Sequence, residues 1–155
     1  MDAAEFVTVV AMGCEEDSVR ATRSFRNDDA ELRPLSEWFR EFAKASGLSQ
    51  PRTLDFELCL NELVTNVIHY AYADRGRHEI RVSLERAAGE VRATVEDDGR
   101  PFNPLEKEAP PVPESLEEAA IGGWGIPIVR ALAGRVMYER SGGCNRLTIA
   151  FPSND

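Results

Sequence analysis

The segment 56–72, FELCLNELVTNVIHYAY, constrains this chain more than any other part of its sequence. At about 100° per residue its apolar side chains fall on one stripe, which predicts an amphipathic helix packed on a core. Glu62, Asn66 and His69 fall together on another face. The apolar stripe consists of Phe56, Leu60, Leu63, Val64, Val67 and Ala71.

The polar face of this helix has two interpretations. Polar side chains usually lie in water, so a solvated face is the default. Solvated faces are rich in Lys and Arg, however, and Arg52 is the only such residue between Pro51 and Asp74. A carboxylate and a carboxamide one turn apart also suit a functional site, because an amide oxygen can bind a divalent metal and a carboxylate can accept a proton.

Length and charge narrow the range of functions. A chain of 155 residues is expected to form one domain, residues 1–155, with an ordinary core. Its net charge of −9 opposes direct binding to nucleic acid or to an anionic membrane. No apolar run approaches the roughly 20 residues of a membrane span, and the acidic start of the chain is unlike a secretion signal. The few, widely spaced cysteines and histidines argue against structural zinc or a disulfide framework, so we expect a cytoplasmic protein.

Alternation and turn residues predict an α/β chain without internal repeats. Strands are expected at 6–12, about 19–25, 78–86, 91–97, 136–140 and 146–151, with hairpin turns at 87–90 and 141–143. Helices are expected at about 30–46, from 49–51 to a stop at 74–77, and from the glycines at 122–125 to about 133.

The strand at 91–97 ends with an informative residue. Val91, Ala93 and Val95 share one face, and Asp97 falls on the same face because side chains repeat every two residues. A carboxylate on the core side is costly unless other groups donate hydrogen bonds to it. Asp-Asp-Gly alone is a common turn sequence, but the core-side position of Asp97 favours a functional residue.

Two further features follow this strand. The segment from Arg100 to Ala120 is rich in proline and acidic residues, and a loop of about 20 residues inside a compact domain is more often functional or mobile than a mere connection. Gly122, Gly123 and Gly125 then precede an apolar helical segment. Glycines at a helix start let a phosphate chain approach free backbone amides, although glycines also simply start helices.

In this order the features resemble the GHKL superfamily of ATPases and kinases, whose ATP-binding domain is the Bergerat fold. The chain has an N box (57–70), a D-x-G box (95–102), a lid (about 100–121) and a G-x-G box (122–130). Within the superfamily it looks most like the small anti-sigma-factor serine/threonine kinases. The resemblance implies an α/β two-layer sandwich, with a mixed, mainly antiparallel sheet and helices on one face.

The resemblance also implies a role for each matching residue. Asn66 would hold Mg²⁺ against the phosphates of ATP, and Glu62 would act as the catalytic base for the attacking hydroxyl. Asp97 would accept a hydrogen bond from the amino group of adenine, and the backbone at Gly99 would pass close to the base. The remaining ATP-binding positions lie in the glycine box, at Gly123, Gly125 and Ile126, where lid and helix amides would meet the phosphates.

Two positions depart from the family pattern. Pro101 stands where many members have a second glycine, and proline stiffens the hinge of the lid. The last strand often carries a Gly-Thr pair whose threonine supports the adenine-binding aspartate. Here the corresponding residues are Cys144 and Asn145, and Asn145 is a candidate substitute. Both changes are compatible with ATP binding, whereas Pro101 weakens the expectation of protein kinase activity.

The function implied is that of an ATP-binding anti-sigma factor with serine/threonine kinase activity. It would phosphorylate a STAS-type anti-sigma-factor antagonist and sequester a sigma factor. A PP2C-type phosphatase is a further candidate partner, and a homodimer is a candidate assembly. The alternative is a non-catalytic ATP-binding switch that grips such a partner without transferring phosphate. A third interpretation, an interaction domain without nucleotide, requires all three motifs to be coincidence.

Overall fold

The computed structural model describes residues 18–106 and 125–153 of the chain. It contains a five-stranded sheet with the strand order β1-β2-β3-β5-β4, in which each neighbouring pair is antiparallel. The strands are β1 (Val19–Arg26), β2 (Glu79–Ala87), β3 (Glu90–Asp97), β4 (Arg135–Ser141) and β5 (Cys144–Pro152). The predicted mainly antiparallel sheet is thus confirmed, but it is not mixed among the strands of these two ranges, where no parallel pair occurs. The strand expected at 6–12 lies outside the described residues.

Both predicted hairpins close through turns with positive φ at two positions. Between β2 and β3 the values are 50° at Ala88 and 75° at Gly89, and between β4 and β5 they are 59° at Gly142 and 78° at Gly143. Such turns match the twist of antiparallel strands, which is why they join tight hairpins. The second hairpin places β5 between β3 and β4, so that the end of β3 lies opposite the start of β5.

The helices of the described ranges are α1 (Leu32–Ala45), α2 (Gln50–Tyr70) and α3 (Gly125–Leu132), with short 3₁₀ helices at Asp29–Glu31 and Pro104–Glu106. Asp28 caps the first 3₁₀ helix by accepting a hydrogen bond from the amide of Ala30 at 2.9 Å. Ser49 caps α2 by accepting one from the amide of Arg52 at 3.2 Å. None of these helices is long and apolar enough to cross a membrane.

α2 ends earlier than the sequence predicted. The stop was expected at 74–77, but the last helical residue is Tyr70. Ala71 is buried, and its carbonyl accepts a hydrogen bond from the amide of Arg100 at 2.9 Å. The loop after β3 also packs closely against the backbone of Ala71 at Gly99, so it occupies the space where a further helical turn would begin, and the chain leaves the helix here.

The core lies between one face of the sheet and the helices. Phe56 of α2 contacts Phe39 of α1 and Phe151 of β5, with ring centroids 4.9 and 4.8 Å apart, and all three rings are fully buried. The predicted apolar stripe of α2 is confirmed, with only Val67 partly exposed. The inward face of β3 is buried along its length and ends with Asp97, as its alternation predicted.

Candidate functional site

A cavity opens between α2 and the sheet, beside the end of β3. Its walls are largely apolar. The lining residues are Leu63, Asn66, Val67, Ala71, Val95, Asp97, Phe102, Pro104, Tyr138, Asn145 and Leu147. A concave, mostly apolar site with a few convergent polar groups is typical of a small-molecule pocket. Two of the predicted site residues, Asn66 and Asp97, therefore share one cavity.

Asp97 is the buried carboxylate of this cavity, with 5% of its surface exposed. Its Oδ1 atom accepts two hydrogen bonds, from the amide of Gly99 at 3.0 Å and from Nδ2 of Asn145 at 2.9 Å. These are the donors that the core-side position required. Within the described residues both bonds go to Oδ1, and Oδ2 has no hydrogen-bond partner.

The surroundings of Asp97 act on its pKa in opposite directions. Burial raises the pKa, because the carboxylate loses water. The hydrogen bonds from Asn145 and Gly99 and the charge of Arg140 lower it, but burial prevails and the pKa stays above its ordinary value. A buried acid that is supported by specific donors in a cavity is a candidate functional group.

Asn145 is the residue that supports Asp97, as its position in the last strand suggested. Besides Asp97, its Nδ2 donates to the carbonyl of Arg100 at 2.8 Å. Its Oδ1 accepts from the amide of Phe102 at 3.3 Å and from the hydroxyl of Tyr138 at 2.6 Å. One amide side chain thus joins the carboxylate, the loop after β3 and the last hairpin.

Gly99 is required where the loop after β3 passes the end of α2. A side chain at this position would collide with the backbone carbonyl and Cβ of Ala71. Two arginines fix the same turn: Arg140 donates to the carbonyl of Gly99, and Arg100 donates to the carbonyl of Tyr70, each at 2.8 Å. Glycine is therefore needed here because the loop contacts the end of α2. The approach of Gly99 to a nucleobase stays a prediction.

The structure brings Glu62 and the glycine box together. A side chain at Gly125, the first residue of α3, would collide with the carboxylate of Glu62. A carboxylate beside the first residue of a helix is favoured by the partial positive charge of that end. Ile126 is partly buried and packs against the core, so its contact with ATP stays a prediction. Gly123 lies outside the described residues.

His69 does not join Glu62 and Asn66 in a common site. Its Nε2 lies 2.9 Å from Oδ1 of Asp29, in the 3₁₀ helix before α1. The third polar residue of the predicted face therefore links α2 to the start of α1. The solvated interpretation fits His69, which is exposed, and the site interpretation fits Asn66, which lines the cavity.

Sequence reasoning missed Phe102 and Tyr138, which also line the cavity. Phe102 follows Pro101 in a loop without a periodic pattern, so no sequence signal was available for it. Tyr138 did carry a signal, because it alternates with Val136 on the half-buried face of β4 and pairs with Leu147 of β5. The register between β4 and β5 was needed to see that it reaches Asn145.

The donor set in the described residues fits a magnesium ion that is held mainly by a bound phosphate chain. No group of three or more His, Cys, Asp or Glu side chains in these ranges could hold a metal ion alone. Mg²⁺ often keeps several waters and takes one or two protein oxygens together with substrate phosphates. Asn66, on the cavity wall one turn after Glu62, carries an amide oxygen of the type that can be such a ligand, and its role stays a prediction.

Known proteins resemble this chain in sequence. The family model described as a histidine kinase-like ATPase domain matches residues 25–151. A similar curated protein is the serine/threonine-protein kinase BtrW of Bordetella bronchiseptica, which is 27% identical over 116 residues, 75% of this chain and 82% of that protein.

Solved structures of similar fold include three at 20% identity or below. The RsbU and RsbW domains of Rv1364c from Mycobacterium tuberculosis align with a TM-score of 0.61 at 20% identity, over 86% of this chain but only 32% of that one. The catalytic domain of the histidine kinase ThkA aligns with a TM-score of 0.51 at 18% identity, over 85% of this chain and 95% of that one. The SiaB-SiaC complex from Pseudomonas aeruginosa aligns with a TM-score of 0.51 at 13% identity, over 83% of this chain and 88% of that one. At these identities the structures establish the α/β fold, which is similar to that of GHKL ATPase domains.

Proposed function

This chain belongs to the histidine kinase-like ATPase domain family, and we propose that it binds ATP with Mg²⁺ and transfers the γ-phosphoryl group to a serine or threonine of a partner protein. The observation that carries the proposal is the buried Asp97 carboxylate, which lines an apolar cavity and has one oxygen without a hydrogen bond to the described residues. The curated relative named a serine/threonine-protein kinase supports the same activity.

The cavity would receive the adenine base. Leu63, Val95 and Leu147 supply apolar walls for a planar ring, and Oδ2 of Asp97 would accept a hydrogen bond from the exocyclic amino group. A buried carboxylate that is already fixed by two donors loses little freedom when the base binds, so the site is preorganised. Gly99 holds the turn after Asp97 tightly against the end of α2.

The phosphates would extend from the cavity toward Asn66, Glu62 and the start of α3. Mg²⁺ supplies charge neutralisation of the phosphate oxygens, and the amide oxygen of Asn66 would be its ligand from this chain. Glu62 would accept the proton of the attacking hydroxyl, a contribution of about 10²- to 10⁴-fold for a general base. Gly125 leaves room for the Glu62 carboxylate at the helix start.

The proposed acceptor is a STAS-type anti-sigma-factor antagonist, and the proposed binding partner is a sigma factor, in the cytoplasm. A PP2C-type phosphatase is a further proposed partner, and a homodimer is the proposed assembly. The support is the order of the N, D-x-G and G-x-G boxes, which resembles that of the small anti-sigma-factor kinases. The net charge of −9 supports an action through protein partners rather than directly on nucleic acid.

A non-catalytic ATP-dependent switch is the second candidate, and one observation favours it. Pro101 replaces a hinge glycine, and the two residues beside it are both bonded to Asn145, through the carbonyl of Arg100 and the amide of Phe102. A loop that is clamped at its start moves less freely than one with a second glycine there. A switch of this kind would bind ATP and its partner but leave the partner unmodified.

Incubation of the chain with γ-labelled ATP, Mg²⁺ and each STAS protein of the same genome separates the two candidates. The kinase proposal predicts label on one STAS protein, which is lost when the acceptor serine or threonine is replaced by alanine. ATP binding without label on any STAS protein would favour the switch. Absence of ATP binding would refute both.

A further inference from the structure

Tyr138 of β4 reaches Asp97 through a single intermediate side chain. Its hydroxyl donates to Oδ1 of Asn145 at 2.6 Å, the shortest of the four hydrogen bonds of that amide. On the other side of the amide, Nδ2 donates to Oδ1 of Asp97 at 2.9 Å. Asp97 and Asn145 are buried and Tyr138 is partly buried, so water does not easily replace these partners.

We propose that Tyr138 is a positioning residue for nucleobase recognition. Through Asn145 it holds the Asp97 carboxylate so that one acceptor oxygen stays free. The site then selects a base with an amino group over a base with a carbonyl group at the same place. This inference rests on the proposed function, because it assigns the base specificity of that site. Neither Tyr138 nor its link to Asp97 follows from the N, D-x-G and G-x-G boxes.

The orientation of the Asn145 amide decides what Asp97 can offer to a ligand. In the observed orientation, Nδ2 faces two acceptors, Oδ1 of Asp97 and the carbonyl of Arg100. The opposite face, Oδ1, meets two donors, the hydroxyl of Tyr138 and the amide of Phe102. A flipped amide would set oxygen against oxygen at Asp97, so the network fixes one orientation.

Tyr138 has the largest part in fixing the oxygen side of this amide. The other donor to Oδ1 of Asn145, the amide of Phe102, is 3.3 Å away, at the long end of the range for such bonds. Phe102 also belongs to the loop after β3, whereas Tyr138 belongs to a strand that is paired with β5 along its whole length. The hydroxyl of Tyr138 is therefore the donor that the sheet itself positions.

In this proposal the cavity wall presents hydrogen-bond acceptors to the base. Oδ1 of Asp97 is used by Gly99 and Asn145, and Oδ2 can only accept while the carboxylate is ionised. The hydroxyl of Tyr138 directs its proton to Asn145, so it too can only accept from a ligand. Adenine has an amino group to donate, whereas hypoxanthine has a carbonyl oxygen in its place and would meet only acceptors.

Removal of the Tyr138 hydroxyl should therefore change base selection more than stability. Tyr138→Phe keeps the ring in the cavity wall and removes the donor to Asn145. We expect the ratio of ITP to ATP dissociation constants to fall by about 5-fold in this variant, the effect of one lost neutral hydrogen bond. Thr94→Val is the matched control, because it removes the hydroxyl that contacts Thr148 at 2.9 Å in neighbouring strands, away from the cavity.

Two measurements on the full chain test the inference. Calorimetry with ATP and ITP should show a reduced ITP/ATP ratio in Tyr138→Phe and the wild-type ratio in Thr94→Val. An unchanged ratio in Tyr138→Phe, or an equal change in both variants, would overturn the positioning role. If Tyr138 had a purely structural role, its loss would weaken the binding of both nucleotides alike and leave the ITP/ATP ratio of dissociation constants unchanged.

The second measurement needs no nucleotide, so it separates this inference from the proposed function. The side-chain amide protons of Asn145 should exchange slowly with solvent in the wild type and at least about 10-fold faster in Tyr138→Phe, because a donor that fixes the amide is gone. Unchanged exchange would refute the link between Tyr138 and Asn145. If exchange is faster in Tyr138→Phe but the wild type binds neither nucleotide, the hydrogen-bond link between Tyr138 and Asn145 stands. The proposed function is then refuted, and the role of Tyr138 in base selection is overturned with it.

Discussion

Asp97→Asn separates a nucleotide-binding carboxylate from a residue that only forms a turn. Both bonds from Gly99 and Asn145 go to Oδ1, and asparagine keeps an oxygen in that place, so the turn should persist. Its other terminal atom becomes an amide nitrogen that faces the cavity as a donor, where adenine also presents a donor. A mismatched buried pair costs about 2–4 kcal/mol, which corresponds to about a 30- to 1,000-fold loss of ATP affinity.

The same variant should gain stability relative to the wild type as the pH rises. Because the pKa of Asp97 is raised in the fold, the native state holds this proton to a higher pH than the unfolded chain does. The stabilising contribution of Asp97 is therefore complete below its ordinary pKa of 3.8 and is lost as the pH rises through the folded-state value. The asparagine side chain of the variant does not titrate, so this loss is absent from it.

The assay is calorimetry with Mg²⁺-ATP, together with urea unfolding at acid and neutral pH. Asp98→Asn is the matched control, because it makes the same charge change at the exposed neighbouring residue. We expect the control to bind ATP with an affinity close to that of the wild type. Wild-type ATP affinity in Asp97→Asn, with a native unfolding curve, would refute the role of Asp97 in binding the base.

Three further predictions follow from other contacts. Gly99→Ala should lower the free energy of unfolding in urea by about 1–3 kcal/mol, because its Cβ would collide with the backbone of Ala71. Gly125→Ala should unfold like the wild type but lower the rate of phosphoryl transfer, because its Cβ displaces only the flexible end of Glu62. Equal unfolding curves for the two alanine variants would contradict this difference. Asn66→Ala should remove most ATP affinity and its dependence on Mg²⁺, so calorimetry with and without EDTA that still shows a wild-type Mg²⁺ effect would exclude Asn66 as the ligand. Phe56→Ala should lower the free energy of unfolding by about 3–5 kcal/mol, since Phe56 is fully buried between Phe39 and Phe151, and a loss below about 1 kcal/mol would show that the site has repacked.

Local patterns were sufficient to predict most of the fold. The stripe of α2, the alternation of β3 and the paired turn residues at 88–89 and 142–143 each depend on neighbours in sequence, and each is confirmed. The end of α2 was predicted wrongly because it depends on a distant contact. The carbonyl of Ala71 is taken by the amide of Arg100, and no local signal marks that pairing.

The candidate site was predictable in its parts but not in its connections. The register of β3 indicated that Asp97 faces the core, and it does. Asn145 was recognised as a candidate support, but its bonds to Arg100 and Phe102 reach the loop after β3, and its bond to Tyr138 reaches β4. Sequence spacing could not reveal them, because they depend on how β5 inserts between β3 and β4.

The proposed kinase activity is tested most directly by single-turnover transfer of the γ-phosphoryl group. This rate and the ATP affinity are measured together in the wild type and in Glu62→Gln. We expect wild-type transfer to a STAS protein, and in Glu62→Gln an unchanged ATP dissociation constant with transfer at least about 100-fold slower, because a general base acts only in the transition state. Asp55→Asn, two turns earlier on α2, is the matched control and should transfer at the wild-type rate. Transfer at the wild-type rate in Glu62→Gln, or no transfer by the wild type to any STAS protein of its genome, would contradict the proposal.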